Sequence, residues 1–208
     1  MTAQPKQEIT EQAYLALERS SAQKHEYFDG EIFAMSGGTA SHNLISGNAF
    51  ASLHTQLRGT GCRVLNSDMR LKVVATGLNT YPDVTVVCGN FQFIDERRDT
   101  ITNPIVIIEV LSPSTERYDR GMKFQNYRTI ATLQEYILIA QDKHQIEHFI
   151  RQENGLWLFE EARDLGGSIA LPSVHCMLTL SDVYDGVDLQ QDPTSMPRDV
   201  PPENSQPL

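Results

Sequence analysis

Between Pro104 and Leu111 the chain reads PIVIIEVL, a run of apolar residues with one carboxylate inside it. The run has strand length, and an apolar run without alternation belongs to a strand covered on both faces. Other elements must therefore pack on each side of it, which restricts the chain to layered folds of helices against a sheet. Glu109 is then denied water. A charged carboxylate in that position costs several kcal/mol unless a partner compensates it.

The remaining pattern supplies the layers. Thr10 is placed to cap a helix running to about Arg19, with Ala13, Tyr14 and Leu17 on one face. Asp29-Gly30 between short alternating runs predicts a hairpin of strands 25–28 and 31–36. Thr39 or Ser41 caps a helix over 41–58, on which Ile45, Ala49, Leu53 and Leu57 recur at helical spacing. A strand over 62–75 is interrupted near Asn66-Ser67, and DVTVVC follows Pro82 as another. Beyond Pro113, Ser114 or Thr115 caps a helix at about 116–130. Strands follow at 134–140, 145–151 and 155–161, the last two joined at Asn154-Gly155, and a short helix closes the domain near 179–185. The order predicts an α/β (α+β) fold with a mixed β-sheet flanked by helices.

A length of 208 residues suits one domain, expected over 10–186. Residues 1–9 read as loose, and the polar, Pro-rich segment 187–208 as disordered. No stretch approaches the roughly 18 apolar residues of a membrane span, and the polar start MTAQPKQEITEQ lacks an export signal. A cytoplasmic protein with no membrane association is expected. Cys62, Cys88 and Cys176 are widely spaced, which predicts buried reduced thiols rather than a zinc site or a disulfide. The net charge of -10 argues against a broad basic surface for nucleic acid.

Chemistry centres on a second carboxylate. Asp83 opens DVTVVC. If that strand and the Glu109 strand pair as a long-looped hairpin, the start of one lies beside the end of the other, and Asp83 meets Glu109. Two such charges about 4–5 Å apart repel by roughly 3–4 kcal/mol at an effective dielectric near 20. A divalent cation relieves both the burial and the repulsion, and Mg2+ prefers such oxygen ligands, to which the Val110 carbonyl can add one. Alternatively Glu109 pairs with Lys123 or an arginine and binds nothing. Asp119, Lys123 and Tyr127 share one helical face, which also reads as a solvated ion pair worth about 0.3–0.5 kcal/mol. Gly121 in mid-helix, at about 1 kcal/mol, suggests close backbone approach to another element. The helix begins near Glu109, so its N–H groups, Arg117 and Arg120 can hold a phosphate. Ser112 can bond a carboxylate, and Asp68 can face the site. No acyl-hydrolase or nucleotide-binding glycine motif is present.

The stretches EYFDGEI, YPDVTVV, IIEVLSPSTERYDRGMKFQNYR and LQEYILI resemble the Uma2 family of restriction endonucleases, within the PD-(D/E)xK nuclease superfamily. The likeness spans about residues 10–185. It implies a restriction-endonuclease-like fold and hydrolysis of nucleic acid, DNA in the first instance, with Mg2+ or Mn2+. It assigns the acidic motif residues to Asp83 and Glu109. The superfamily lysine expected two residues after the glutamate is Leu111, and the resemblance implies that Lys123 takes its place. Glu26 matches the family's early glutamate, so Glu26 or Glu31 can complete the metal shell. His42 matches a family position as well. Cutting both strands implies a homodimer. A catalytically inactive module for nucleic acid or protein remains the alternative, favoured by the acidic charge and by Leu111.

Overall fold

The computed structural model describes residues 8–189, so the expectations for 1–7 and for the tail from 190 onward lie outside the described residues. Thr10 caps α1 (Glu11–Glu18), its side chain accepting from the Ala13 N–H at 3.2 Å. Asp29 and Gly30 both have positive φ, 49° and 76°, which matches the twist of a two-residue hairpin. They join β1 (His25–Phe28) to β2 (Glu31–Ala34), two residues shorter than expected. Thr39 caps α2 (Ala40–Gln56), which buries Ile45, Ala49 and Leu53. There follow β3 (Cys62–Asn66), β4 (Arg70–Lys72), β5 (Asn79–Thr80), β6 (Val84–Cys88), β7 (Thr100–Ile101) and β8 (Val106–Leu111). After a short helical region come β9 (Glu135–Ala140), β10 (Gln145–Arg151), β11 (Trp157–Arg163), β12 (Ser168–Leu171), β13 (Cys176–Thr179) and α5 (Leu180–Val183).

The larger sheet runs β11-β10-β9-β8-β6-β3, with β8 and β9 parallel and its other pairs antiparallel. The smaller sheet runs β2-β1-β5-β4-β7, and β12 and β13 form a separate hairpin. Every residue of β8 is buried. Val106, Ile108 and Val110 face a core that holds α2, α5 and the β12–β13 hairpin. Ile107 and Leu111 face a second core with Leu71, Leu78, Tyr127, Leu133 and Tyr136. By strand alternation Glu109 points into the second core, between two apolar neighbours.

Several expectations are corrected. The strand expected over 62–75 is two strands in two sheets: the turn after Asn66 carries β4 away from β3. The helix expected at 116–130 is α3 (Glu116–Tyr118), a π-helical turn (Asp119–Lys123) and α4 (Phe124–Tyr127). No neighbour crowds Gly121, where an added Cβ would meet nothing within 4 Å, so close approach does not explain it. The last strand of the large sheet starts at Trp157. Gln152 N donates to Leu156 O at 2.8 Å, making Asn154-Gly155 part of a three-residue loop rather than a two-residue turn. Asp68 pairs with Lys24 at 2.6 Å and is 74% exposed, so it faces solvent. Cys62 stands opposite Cys88 across β3 and β6, and the two form a disulfide, overturning the expectation of three reduced thiols. That pairing depends on which strands become neighbours, which cysteine spacing does not disclose. Cys176 is a buried free thiol. Among the described residues no helix is long and apolar enough to cross a membrane.

Candidate active site

β6 and β8 pair antiparallel with Val84 opposite Ile108, which carries Asp83 to the place opposite Glu109. Asp83 is fixed there from two sides. Its Oδ2 accepts from the Val110 N–H at 2.7 Å, and its Oδ1 lies 3.0 Å from His42 Nε2. His42 comes from the first turn of α2, next to the Thr39 cap. Asp83 and His42 retain 15% and 19% side-chain exposure, against 4% for Glu109, so the cluster opens to solvent at their edge.

Glu109 Oε1 accepts from Lys123 Nζ at 3.1 Å and from the Tyr127 hydroxyl at 2.8 Å. Lys123 Nζ also lies 3.2 Å from Asp119 Oδ1 and 3.3 Å from Glu26 Oε1. One ammonium therefore touches three carboxylates, with Tyr118 offering its ring face 5.6 Å away. The π-helical turn (Asp119–Lys123) buries its two end residues, Asp119 and Lys123. Such turns are common at functional sites. Glu26 enters from β1 of the smaller sheet and also accepts from the Thr80 hydroxyl. The site thus depends on both sheets.

Burial pushes the Glu109 carboxyl up to about 8, with Asp119 and Asp83 adding repulsion while Lys123 and Tyr127 oppose the rise. Burial likewise raises Asp119. For Lys123 burial acts downward, but Glu109, Tyr127, Glu26 and Asp119 outweigh it and hold the ammonium well above its usual range. His42 is raised too: burial lowers it, and the bond and charge of Asp83 overcome that.

The other residues picked from the sequence sit as follows. Glu31 lies opposite Phe28, two residue pairs nearer the turn than the Glu26–Phe33 pair. Ser112 Oγ bonds Ser114 Oγ at 3.0 Å and Thr115 Oγ1 at 2.9 Å, closing a turn rather than reaching a carboxylate. Arg117 is exposed. Arg120 is held by Glu116 at 2.8 Å and by both oxygens of Glu147. α3, the π-helical turn and α4 follow one another without a break from Glu116 to Tyr127. The pairing of Glu109 with Lys123, one of the alternatives read from the sequence, is present, while the solvated ion pair is not: Asp119, Lys123 and Tyr127 are all buried. Sequence reasoning missed Thr80 and Glu147, for which no local pattern gave a signal.

The residues fit a hard divalent cation. Asp83, Glu109 and the Val110 carbonyl are all oxygen donors. A buried carboxyl raised to about 8 is one that added positive charge would ionise. Asp119 Oδ1 is buried, with no hydrogen bond of good geometry and the Lys123 ammonium 3.2 Å away as its ion-pair partner. Among the described residues no three His, Cys, Asp or Glu side chains are grouped as metal ligands. A set of two carboxylates, one backbone oxygen and water does not require a third. A groove of about 670 Å³ lies elsewhere, between α2 and the β13–α5 region, lined by Asn48, Gln56, Met177 and Asp182.

Comparison with known proteins agrees with this architecture. Residues 11–181 match the model of the family described as "Uma2: Putative restriction endonuclease". Two uncharacterized proteins of Synechocystis sp. are each 36% identical to the chain. One, slr1290, aligns over 88% of the chain and 95% of its own length. The other, sll1609, aligns over 74% and 86%. A solved structure titled as a "putative nuclease belonging to DUF820" from Anabaena variabilis superposes with a TM-score of 0.68. It covers 85% of this chain and 98% of its own, at 18% identity, and so is a likeness of fold.

Proposed function

The chain belongs to the Uma2 family, and on that premise we propose that it is a divalent-metal-dependent endonuclease hydrolysing phosphodiester bonds of nucleic acid, DNA in particular. The observation that carries the reading is the buried contact of Lys123 with Glu109, 3.1 Å long, at the strand end where Asp83 stands opposite. A lysine and two carboxylates held at neighbouring strand ends are the parts that metal-assisted phosphoryl transfer needs.

In this reading Asp83, Glu109 and the Val110 carbonyl hold one Mg2+, for which Mn2+ substitutes. Glu26 is the nearer further carboxylate and Glu31 the more distant. When bound, the cation supplies Lewis acidity toward a phosphate oxygen and acidifies a water. Lys123, kept charged by its three carboxylates, stabilises charge developing on the phosphate and orients the attacking water. His42 and the Val110 N–H fix the orientation of Asp83. Arg117 is the exposed cation available to a flanking phosphate, since Arg120 is engaged by Glu116 and Glu147. Cutting both strands calls for two sites, so the working form is taken to be a homodimer. A cytoplasmic location completes the proposal. The Cys62–Cys88 bridge weighs against it, since reducing compartments keep thiols unpaired. Thiol labelling of protein taken directly from cells tests that point.

The main test is purified protein with Mg2+ and DNA. Cleavage is expected and should disappear in the Asp83→Ala/Glu109→Ala double variant; cleavage that survives the double change overturns the site. A second reading has its own observation. Lys123 already pairs with three carboxylates, as a non-catalytic nuclease-fold binding module would require. Calorimetry separates the two: the nuclease requires Mg2+ or Mn2+ binding that vanishes in Glu109→Ala, and the module requires none.

A further inference from the structure

We propose that β11 is the surface through which two copies of this chain pair, edge to edge, about a two-fold axis passing through Leu158. β11 is the end strand of the six-stranded sheet, and no described strand covers its outer side. Its start is apolar and open: Leu158 is 51% exposed and Phe159 49%, and Leu156 just before the strand is 66% exposed. An uncovered apolar edge of this length is ordinarily blunted or paired.

The backbone decides which registers are possible. Gln152 N donates to Leu156 O, and Arg151 N donates to Gln134 O on the other side of β10. Even-numbered residues of β10 and β11 therefore bond to each other. The N–H and C=O groups of Trp157, Phe159, Glu161 and Arg163 point outward. Two antiparallel copies must match odd residues with odd residues.

Side chains choose among those registers. Centring the axis on Glu160 sets Glu160 against its own copy and Phe159 against Glu161. Centring it on Phe159 sets Trp157 against Glu161 and Leu158 against Glu160. Centring it on Leu158 opposes Trp157 to Phe159 of the second copy and Leu158 to itself. It also brings Arg163 toward Glu153 of the second copy, so no like charges face each other. Trp157 and Phe159 already share one sheet face with Phe124 and Phe149, centroids 5.2 Å apart in each case, so the second copy extends an existing aromatic layer. Leu158 lies on the opposite face, beside Ile150. The arrangement is self-complementary, as a two-fold contact must be. It uses none of the residues assigned to catalysis, so it stands or falls apart from the nuclease reading.

Directly opposed residues that do not exchange backbone bonds have Cα atoms about 4.5 Å apart, close enough for a disulfide. Leu158→Cys is therefore expected to form a covalent dimer on mild oxidation. Leu156→Cys, though more exposed, faces Glu160 of the second copy and should remain monomeric on a non-reducing gel. The background is low, because Cys62 and Cys88 are bonded to each other and Cys176 is buried. Sedimentation should give a dimer for the unmodified full chain and a monomer for Leu158→Glu, with an unchanged circular dichroism spectrum. A monomeric parent chain at about 50 μM, or a dimer that survives Leu158→Glu without cross-linking in Leu158→Cys, overturns the proposal. Loss of DNA cleavage in a well-formed dimer would instead count against the active site.

Discussion

Replacing Lys123 by Met removes the one cation that Glu26, Glu109 and Asp119 share, and the structure sets the size and pH dependence of the penalty. Orphaning a buried charge in this way typically destabilises by about 3–5 kcal/mol. The variant has an escape, because Glu109 is already raised to about 8 and Asp119 is raised as well. Without the ammonium the folded cluster should bind about one proton more than the parent does, in place of the lost charge. Carboxyls raised in the folded state favour folding below the unfolded value of 4.5, and that advantage is lost as pH climbs toward the folded value. That extra proton, bound in the folded variant and not in the parent, makes the deficit of Lys123→Met grow with pH by up to about 1.4 kcal/mol per pH unit. From about pH 5 to about pH 8 that amounts to roughly 4 kcal/mol, matching the range for an orphaned buried ion. Urea unfolding of both proteins at three pH values, with a chelator present, measures it. A difference below about 1 kcal/mol that stays flat across those pH values would refute the picture of one ammonium shared by three buried carboxylates.

Other expectations follow from the same contacts. Because burial holds the Glu109 carboxyl near 8, Mg2+ binding at neutral pH should release up to about one proton and tighten as pH rises toward 8. Calorimetry in two buffers of different ionisation enthalpy counts that proton, and a count of zero would remove Glu109 from the ligand set. Tyr127→Phe removes a 2.8 Å bond to Glu109 Oε1 and should destabilise by about 1.5–3 kcal/mol in chemical unfolding. Opening the Cys62–Cys88 bridge frees a loop of 26 residues and should cost about 3 kcal/mol, seen as a Tm drop of about 6–12 °C with reductant in a thermal scan. The Arg19 pair holds Asp99 down at about 2. Its contribution is present above 3.8 and fades as pH falls toward 2. As a partly exposed pair it is worth only about 0.5–1 kcal/mol, which Arg19→Ala measured at neutral and acid pH should show.

Where one short stretch carries its own physical constraint, its structure was legible from residues alone. PIVIIEVL has no alternation because both its faces are covered, and all six residues of β8 are buried. Thr10 and Thr39 cap their helices, and Asp29-Gly30 turns its hairpin, because each needs only neighbours within a few positions. Asp83 and Glu109 were matched from the order of two strands, a single long-range step with few alternatives. What remained hidden depends on which distant segments become neighbours. β4 leaves one sheet for another, Cys62 meets Cys88, and Glu26 arrives from a separate sheet to touch Lys123. The π-helical turn is also a tertiary outcome. Asp119, Lys123 and Tyr127 satisfy ordinary helical spacing, and only the folded chain shows Lys123 and Tyr127 meeting the buried Glu109 carboxylate, with Asp119 held beside the same ammonium. Sequence determined the elements and the acidic pair; packing decided which charges share a dry interior, because burial is a property of the whole fold and not of any local run.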